Sequence, residues 1–216
     1  MITSFEARAA ISTDGFPRSG SFEGILKYRH PDGVRLRAFR SPGPTVFDFS
    51  IVDGECTLLL PSEKKMLKGG AAAGPRSAAD SVGAAVFPQL FMWIQPPDSS
   101  LLPRIDRCDD GRIRIAYTEN GRIRRRTTID ASEEPRILEE ELIDDAGRVV
   151  LHACFSEYRR SGDLLFPARV EAKGVSAAGP FRILAVVREA KLNLPLEDVD
   201  FEIELPEGFA LERDAF

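Results

Sequence analysis

About ten short segments of alternating apolar and polar residues run through this chain, broken once by an Ala-rich and then aromatic stretch from Pro75 to Ile94. A two-residue period places every second side chain on one face of an extended strand, so such a train can bury its apolar positions only by pairing into a sheet. Phe5, Ala7, Ala9 and Ile11 alternate with Glu6, Arg8 and Ala10, and Phe22, Gly24, Leu26 and Tyr28 with Glu23, Ile25 and Lys27. The turn chemistry between segments is also that of hairpins. His30-Pro31-Asp32-Gly33 reads as a turn with Gly33 in the left-handed position; Ser41-Pro42-Gly43-Pro44 and Asp53-Gly54 punctuate the next segments.

Strands are expected at Val34–Ala38, Val46–Val52 and Cys56–Leu60. After Leu102 they are expected at Arg104–Asp109, Arg112–Thr118, Arg122–Asp130, Arg136–Ile143, Val149–Tyr158, Ala168–Lys173 and Phe181–Lys191. The short connections predict that neighbours in sequence pair antiparallel in a mainly β, curved sheet. A length of 216 residues, 43% of them hydrophobic, suits a single domain over 1–216 with a helical insertion at about 75–94.

Within that insertion, Gly69 to Gly74 reads as a small-residue hinge and Pro75 as a first helical turn. Ala78, Val82, Ala85, Val86, Gln89, Leu90 and Trp93 then recur at helical spacing. Pro88 ends or kinks the first helix, and Pro96-Pro97 closes the second. Phe87, Leu90, Phe91 and Trp93 give the second half an apolar surface suited to plugging the sheet as core or to covering a ligand cavity as a lid. On the sheet itself, strand parity puts Phe47 and Phe49 on one face and Leu58 and Leu60 on one face, as candidate cavity walls.

Five arginines, Arg112, Arg114, Arg122, Arg124 and Arg126, flank Glu119-Asn120-Gly121. A two-residue Asn-Gly loop would mix Arg122, Arg124 and Arg126 with Ile113, Ile115 and Tyr117. A three-residue loop with Gly121 in a bulge instead gathers the five arginines on one face, with Ile123 and Ile129 on the other, and is the expected register. Guanidinium forks could hold anionic headgroups or a partner protein. The carboxylates of Glu139-Glu140-Glu141 and Asp144-Asp145 favour a solvated cross-strand charge ladder instead.

Enzyme signals are nearly absent. His30 sits in a turn and His152 in a strand pattern, with no Ser or Cys in a nucleophile elbow beside them. The Asp pairs are explained by turn preference, and the Gly-rich run at 69–74 lacks the Lys-Ser/Thr of a phosphate loop. Cys56, Cys108 and Cys154 read as small core or sheet residues; none stands in a CxxC pair or at ligand spacing from a histidine, so no metal and no cofactor is expected. The net charge of −5 argues against nucleic acid as a partner. No stretch approaches the roughly 18–20 apolar residues that cross a bilayer as a helix.

Gly20-Ser21-Phe22-Glu23-Gly24, Tyr28 to Leu36, Val46-Phe47-Asp48 and Leu58-Leu59-Leu60-Pro61 resemble the N-terminal half of LolA/LolB-like lipoprotein carrier and receptor domains. Tyr158, Phe166-Pro167-Ala168-Arg169-Val170, Asn193-Leu194-Pro195-Leu196, Phe201 and Leu205-Pro206-Glu207-Gly208-Phe209 resemble that family's final strands. The resemblance covers roughly Phe5 to Phe209. It implies an incomplete, half-open antiparallel β-barrel of about eleven strands closed by helices. It also implies an apolar cavity for lipoprotein acyl chains or another lipid, in the periplasm or at the periplasmic face of the outer membrane, without covalent chemistry. The chain departs from the pattern in two places. It has no signal peptide or lipobox cysteine ahead of Phe5, as if trimmed, and its loop Arg40 to Thr45 lacks the protruding apolar residue of receptor members. The alternative reading is a cell-envelope protein–protein interaction module whose concave face is filled core.

Overall fold

The computed structural model describes residues 2–15, 19–31, 33–70, 100–107, 111–176 and 179–213. These form β1 (Ser4–Asp14), β2 (Gly20–Arg29), β3 (Gly33–Phe39), β4 (Thr45–Val52), β5 (Glu55–Leu60), β6 (Lys65–Gly70), β7 (Leu102–Arg107), β8 (Arg112–Glu119), β9 (Arg122–Asp130), β10 (Arg136–Ile143), β11 (Val149–Ser161), β12 (Leu164–Ser176), β13 (Gly179–Leu192) and β14 (Ala210–Arg213). All fourteen belong to one open sheet in the order β14-β6-β5-β4-β3-β2-β1-β13-β12-β11-β10-β9-β8-β7. The sheet is therefore mainly antiparallel and unclosed as expected, but with fourteen strands in place of about eleven. The expected helical insertion lies outside the described residues, which contain two 3-10 turns, Pro61–Glu63 and Asp198–Asp200, as their helical elements.

Two meanders meet at β1 and β13, which pair from Phe5↔Leu192 to Asp14↔Arg182. Along the inner face, Phe5, Ala7, Ala9, Ile11, Leu26, Leu36, Phe49, Phe155, Phe166 and Ile183 are at most 4% exposed and form one continuous apolar cluster. Small residues floor its middle: Ala9, Ala153, Ala168 and Ala172 are each 0% exposed. Large rings reach over that floor. Phe22 and Phe47, on strands separated by β3, meet edge to face at 5.4 Å, and Phe5 and Phe166 approach to 6.4 Å. Adjacent strands lie about 4.8 Å apart, so each of these contacts spans nearly 10 Å of sheet.

Two glycines make room for this packing. A Cβ on Gly24 would meet the ends of Ile11 and Leu36 at 2.8 and 2.9 Å. At Gly174 it would strike the Val150 carbonyl oxygen and the Phe181 ring, both at 2.6 Å. Gly33 corrects the sequence reading, because it is a β3 residue without the left-handed conformation expected of it. What its missing side chain does is admit Phe201, whose ring would stand 3.1 Å from a Cβ there.

Phe201 belongs to a strap, residues 193–209, that crosses the outer face of β2, β3 and β4. Lys27 binds Asp200 at 2.5 Å, Arg35 donates to the Asp200 carbonyl at 2.9 Å, and Ser50 donates to the Phe201 carbonyl at 2.6 Å. Phe201 itself is 1% exposed, with the Arg29 guanidinium 5.0 Å from its ring. The closing segments expected as final strands are thus mostly strap, and they deliver β14 alongside β6 in parallel register.

Candidate functional site

The inner face is the candidate site, and the sheet register decides which side chains reach it. Leu36 pairs with Phe49 and Phe49 with Leu58, so β3, β4 and β5 present these side chains to the same side. Phe47 and Leu60 share that side by strand parity. Phe49 and Leu58 are 0% and 6% exposed, whereas Phe47, Leu60, Phe22 and Ile51 are partly exposed and packed against the core. The four sheet residues singled out from the sequence therefore come together, two as core and two at its rim. Phe87, Leu90, Phe91 and Trp93 lie outside the described residues.

The arginine cluster is rearranged. Asn120 and Gly121 both take positive φ, 51° and 76°, and Glu119 pairs with Arg122, so the loop has two residues and the expected three-residue bulged loop is wrong. The extra residue falls one step later, at Arg124, where the ladder passes from Thr118↔Ile123 to Tyr117↔Arg125. That bulge resets the register. Arg112, Arg114 and Arg126 lie on the outer face, Arg122 shares the parity of Tyr117, and Ile123 faces outward, so the five arginines do not form one platform.

Carboxylates meet Arg122, Arg124 and Arg126. Arg126 pairs with Glu141; Arg124 reaches Glu119 at 2.9 Å and Asp145 at 2.6 Å; and Arg122 lies 4.0 Å from Asp145. A groove of about 410 Å³ between the β8–β9 tip and the β10–β11 turn is lined by both signs, Arg122 and Arg126 facing Asp144 and Asp145. Such lining suits internal charge pairing better than anion capture.

The bulge has an inward consequence that sequence reasoning missed. It turns Arg125 to the inner face, opposite Tyr117 and Leu142. There Arg125 donates to Glu140 Oε1 at 2.7 Å, Thr127 Oγ1 donates to the same oxygen at 3.1 Å, and the guanidinium lies 6.0 Å from the Tyr117 ring. The Glu140 side chain is 1% exposed and that of Arg125 11%. Burial pushes the Glu140 carboxyl above its ordinary range, with Arg125 and the two hydrogen bonds opposing. A buried ion pair thus sits within an otherwise apolar face. Adjacent Arg124-Arg125-Arg126 and Glu139-Glu140-Glu141 were the available signal, since in a strand the middle residue of each triplet points opposite to its neighbours.

The cysteines divide between core and sheet surface. Cys56 is buried as expected, its thiol pushed up to about 12 by burial. Cys154 is a sheet residue, half-buried on the outer face beside His152, with Sγ and Nε2 3.8 Å apart. A spacing of two is a same-face neighbour in a strand, which the sequence reading overlooked. Cys108 lies outside the described residues.

The geometry can be set against known structures. A putative outer membrane lipoprotein-sorting protein domain from Vibrio parahaemolyticus matches 92% of this chain and 89% of its own, with TM-score 0.60 and 13% identity. A LolA superfamily protein from Nitrosomonas europaea matches 93% and 90%, with TM-score 0.60 and 13% identity. The fold is similar to that of these two proteins. A DUF1329 family protein from Desulfovibrio piger is similar too, at TM-score 0.66 and 11% identity over 94% of this chain and 90% of that one. No protein-family model matches the chain, and no curated protein matches it in sequence. These likenesses show the fold, and identities this low leave the ligand to be argued from the site.

Proposed function

We propose that the chain, acting as one domain, binds the acyl chains of a lipoprotein or another lipid on the inner face of its sheet, reversibly and without covalent chemistry. The observation that carries this reading is the partly exposed rim of Phe22, Phe47, Ile51 and Leu60 on an inner face whose centre is sealed. An acyl chain laid against that rim gains about 0.8 kcal/mol for each CH₂ removed from water, so a modest length of contact supplies useful affinity without polar recognition. The likeness to a lipoprotein-sorting domain supports the same ligand class and a place in the bacterial periplasm or at the periplasmic face of the outer membrane. The loop Arg40 to Thr45, which holds no leucine or aromatic, favours a carrier over a membrane-inserting receptor.

Displacement of a fluorescent fatty acid by a triacylated lipopeptide tests the reading. Phe47→Asp, on the inner rim, weakens probe binding at least tenfold, about 1.4 kcal/mol. Val46→Asp, at the neighbouring outward position, leaves binding unchanged. Equal loss in both variants, or no binding by the unmodified chain, refutes the assignment.

Strand β7 favours a second reading, an envelope interaction module, because Leu102 and Ile105 are 70% and 67% exposed and β7 ends the sheet formed by the described residues. Under that reading, charges introduced at Leu102 abolish partner capture while acyl binding is absent.

A further inference from the structure

On the outer face of β10 and β11, away from the lipid rim, three side chains of different donor type converge. Cys154 stands directly opposite Glu139 in the ladder, and His152, two residues earlier on β11, shares its face. His152 Nε2 lies 3.8 Å from Cys154 Sγ and 3.8 Å from Glu139 Oε2, and the three ligand atoms all fall within 4.8 Å of one another.

The two separations from His152 are nearly those of a shared metal, and the Cys154–Glu139 pair, within 4.8 Å, closes by side-chain rotation. With metal–sulfur near 2.3 Å and metal–nitrogen or metal–oxygen near 2.0–2.2 Å, tetrahedral angles set the ligand atoms roughly 3.3–3.6 Å apart. The trio needs to contract by only a few tenths of an ångström between its close pairs. His152 and Glu139 are 37% and 41% exposed, which leaves their terminal torsions free to adjust, while the paired strands hold the Cα positions.

The surrounding carboxylates are otherwise engaged. Glu141 pairs with Arg126, and Glu171, opposite Cys154 on β12, is held by Lys173 at 2.9 Å and Arg182 at 3.0 Å. Among the described residues Glu139 pairs with no lysine or arginine, and its carboxylate lies 3.8 Å from His152 Nε2. A carboxylate left uncommitted beside an imidazole and a thiol is the donor set for a borderline-soft divalent cation, whereas Mg²⁺ and Ca²⁺ call for oxygen donors throughout.

We propose that Glu139, His152 and Cys154 form a binding site for a zinc-class divalent cation, through a carboxylate oxygen, Nε2 and Sγ, with the fourth position open to solvent. The site is independent of the lipid reading, sitting on the opposite face of the sheet. It gives the outer surface of β10–β11 a capacity that a lipid carrier does not require.

Titration of the metal-free full chain with Co²⁺ tests it, because a cysteine thiolate on Co²⁺ gives a near-ultraviolet charge-transfer band. The expected result is one Co²⁺ per chain, with the band removed by one equivalent of Zn²⁺. Cys154→Ser abolishes the band, and His152→Ala and Glu139→Gln each weaken binding at least about tenfold. Zn²⁺ raises the Tm of the unmodified chain and not of Cys154→Ser, a readout of the folded protein that circular dichroism checks for unaltered structure. A band that persists in Cys154→Ser, a stoichiometry well below one, or equal affinity in His152→Ala overturns the assignment.

Discussion

Replacing Arg125 by methionine keeps much of the side-chain length and removes the guanidinium from Glu140, whose side chain is 1% exposed. The carboxylate then retains only Thr127, at 3.1 Å, among its described hydrogen-bond donors. Breaking a buried pair from one side costs about 3–5 kcal/mol, since the surviving charge stays desolvated without compensation. At 11% exposure Arg125 lies near the water-accessible edge of the pair, which places the cost toward the lower end, near 3 kcal/mol. For a chain of this size each kcal/mol moves Tm by about 2–4 °C, so Arg125→Met lowers Tm by roughly 6–12 °C. Glu140→Gln keeps an acceptor for both donors and costs less. Removing both charges in Arg125→Met/Glu140→Met leaves stability within about 1 kcal/mol of the unmodified chain, because an apolar pair of similar volume suits an apolar face. Urea unfolding of the unmodified chain, Arg125→Met, Glu140→Met and the double variant closes the cycle. A double variant as unstable as the sum of the two singles shows that the residues act independently and refutes the inward-pair account.

Gly174→Ala destabilises by about 1–3 kcal/mol through overpacking, since its Cβ would meet the Val150 carbonyl oxygen at 2.6 Å, while Gly70→Ala, with open space around it, changes denaturant midpoints little. Phe201→Ala costs about 3–5 kcal/mol by emptying a position that is 1% exposed beneath the strap, measured by the same unfolding assay. The Lys27 hydrogen bond, with a backbone donor from Glu197, holds the Asp200 carboxyl below its ordinary value. A folded pKa below the unfolded one means that Asp200 adds stability above about pH 4, lost as pH falls through the folded value; Asp200→Asn therefore flattens the acid limb of a stability–pH curve. An unchanged acid limb in Asp200→Asn contradicts this role for the strap.

The strands legible in the sequence are those with one buried face. Phe22 to Tyr28 alternates cleanly because β2 has a core on one side and solvent or strap on the other. β6 escaped notice because Met66 and Leu67, successive residues, are both buried, which erases the alternation. β14 escaped because all four of its residues are exposed and its place is set by backbone pairing to Lys65–Lys68. The inner-face role of Phe47, Phe49, Leu58 and Leu60 followed from parity once the register was known, since each hairpin carries the facing of one strand to the next. The bulge at Arg124 could not be read locally. Its position suits Arg125 reaching Glu140, a contact between residues 15 apart, while the loop residues Asn120-Gly121 fit an unbulged turn by themselves. The neighbouring pair His152 and Cys154 was legible, since both fall in the strand expected at Val149–Tyr158, where a spacing of two shares a face.

Native mass spectrometry of the chain, purified from lipid-containing cells and then offered a triacylated lipopeptide, tests the central claim most directly. The account predicts a bound mass equal to one lipid or lipopeptide, retained in Val46→Asp and lost in Phe47→Asp. A chain that carries no lipid from cells and takes up none of the lipopeptide, while folded by circular dichroism, contradicts it.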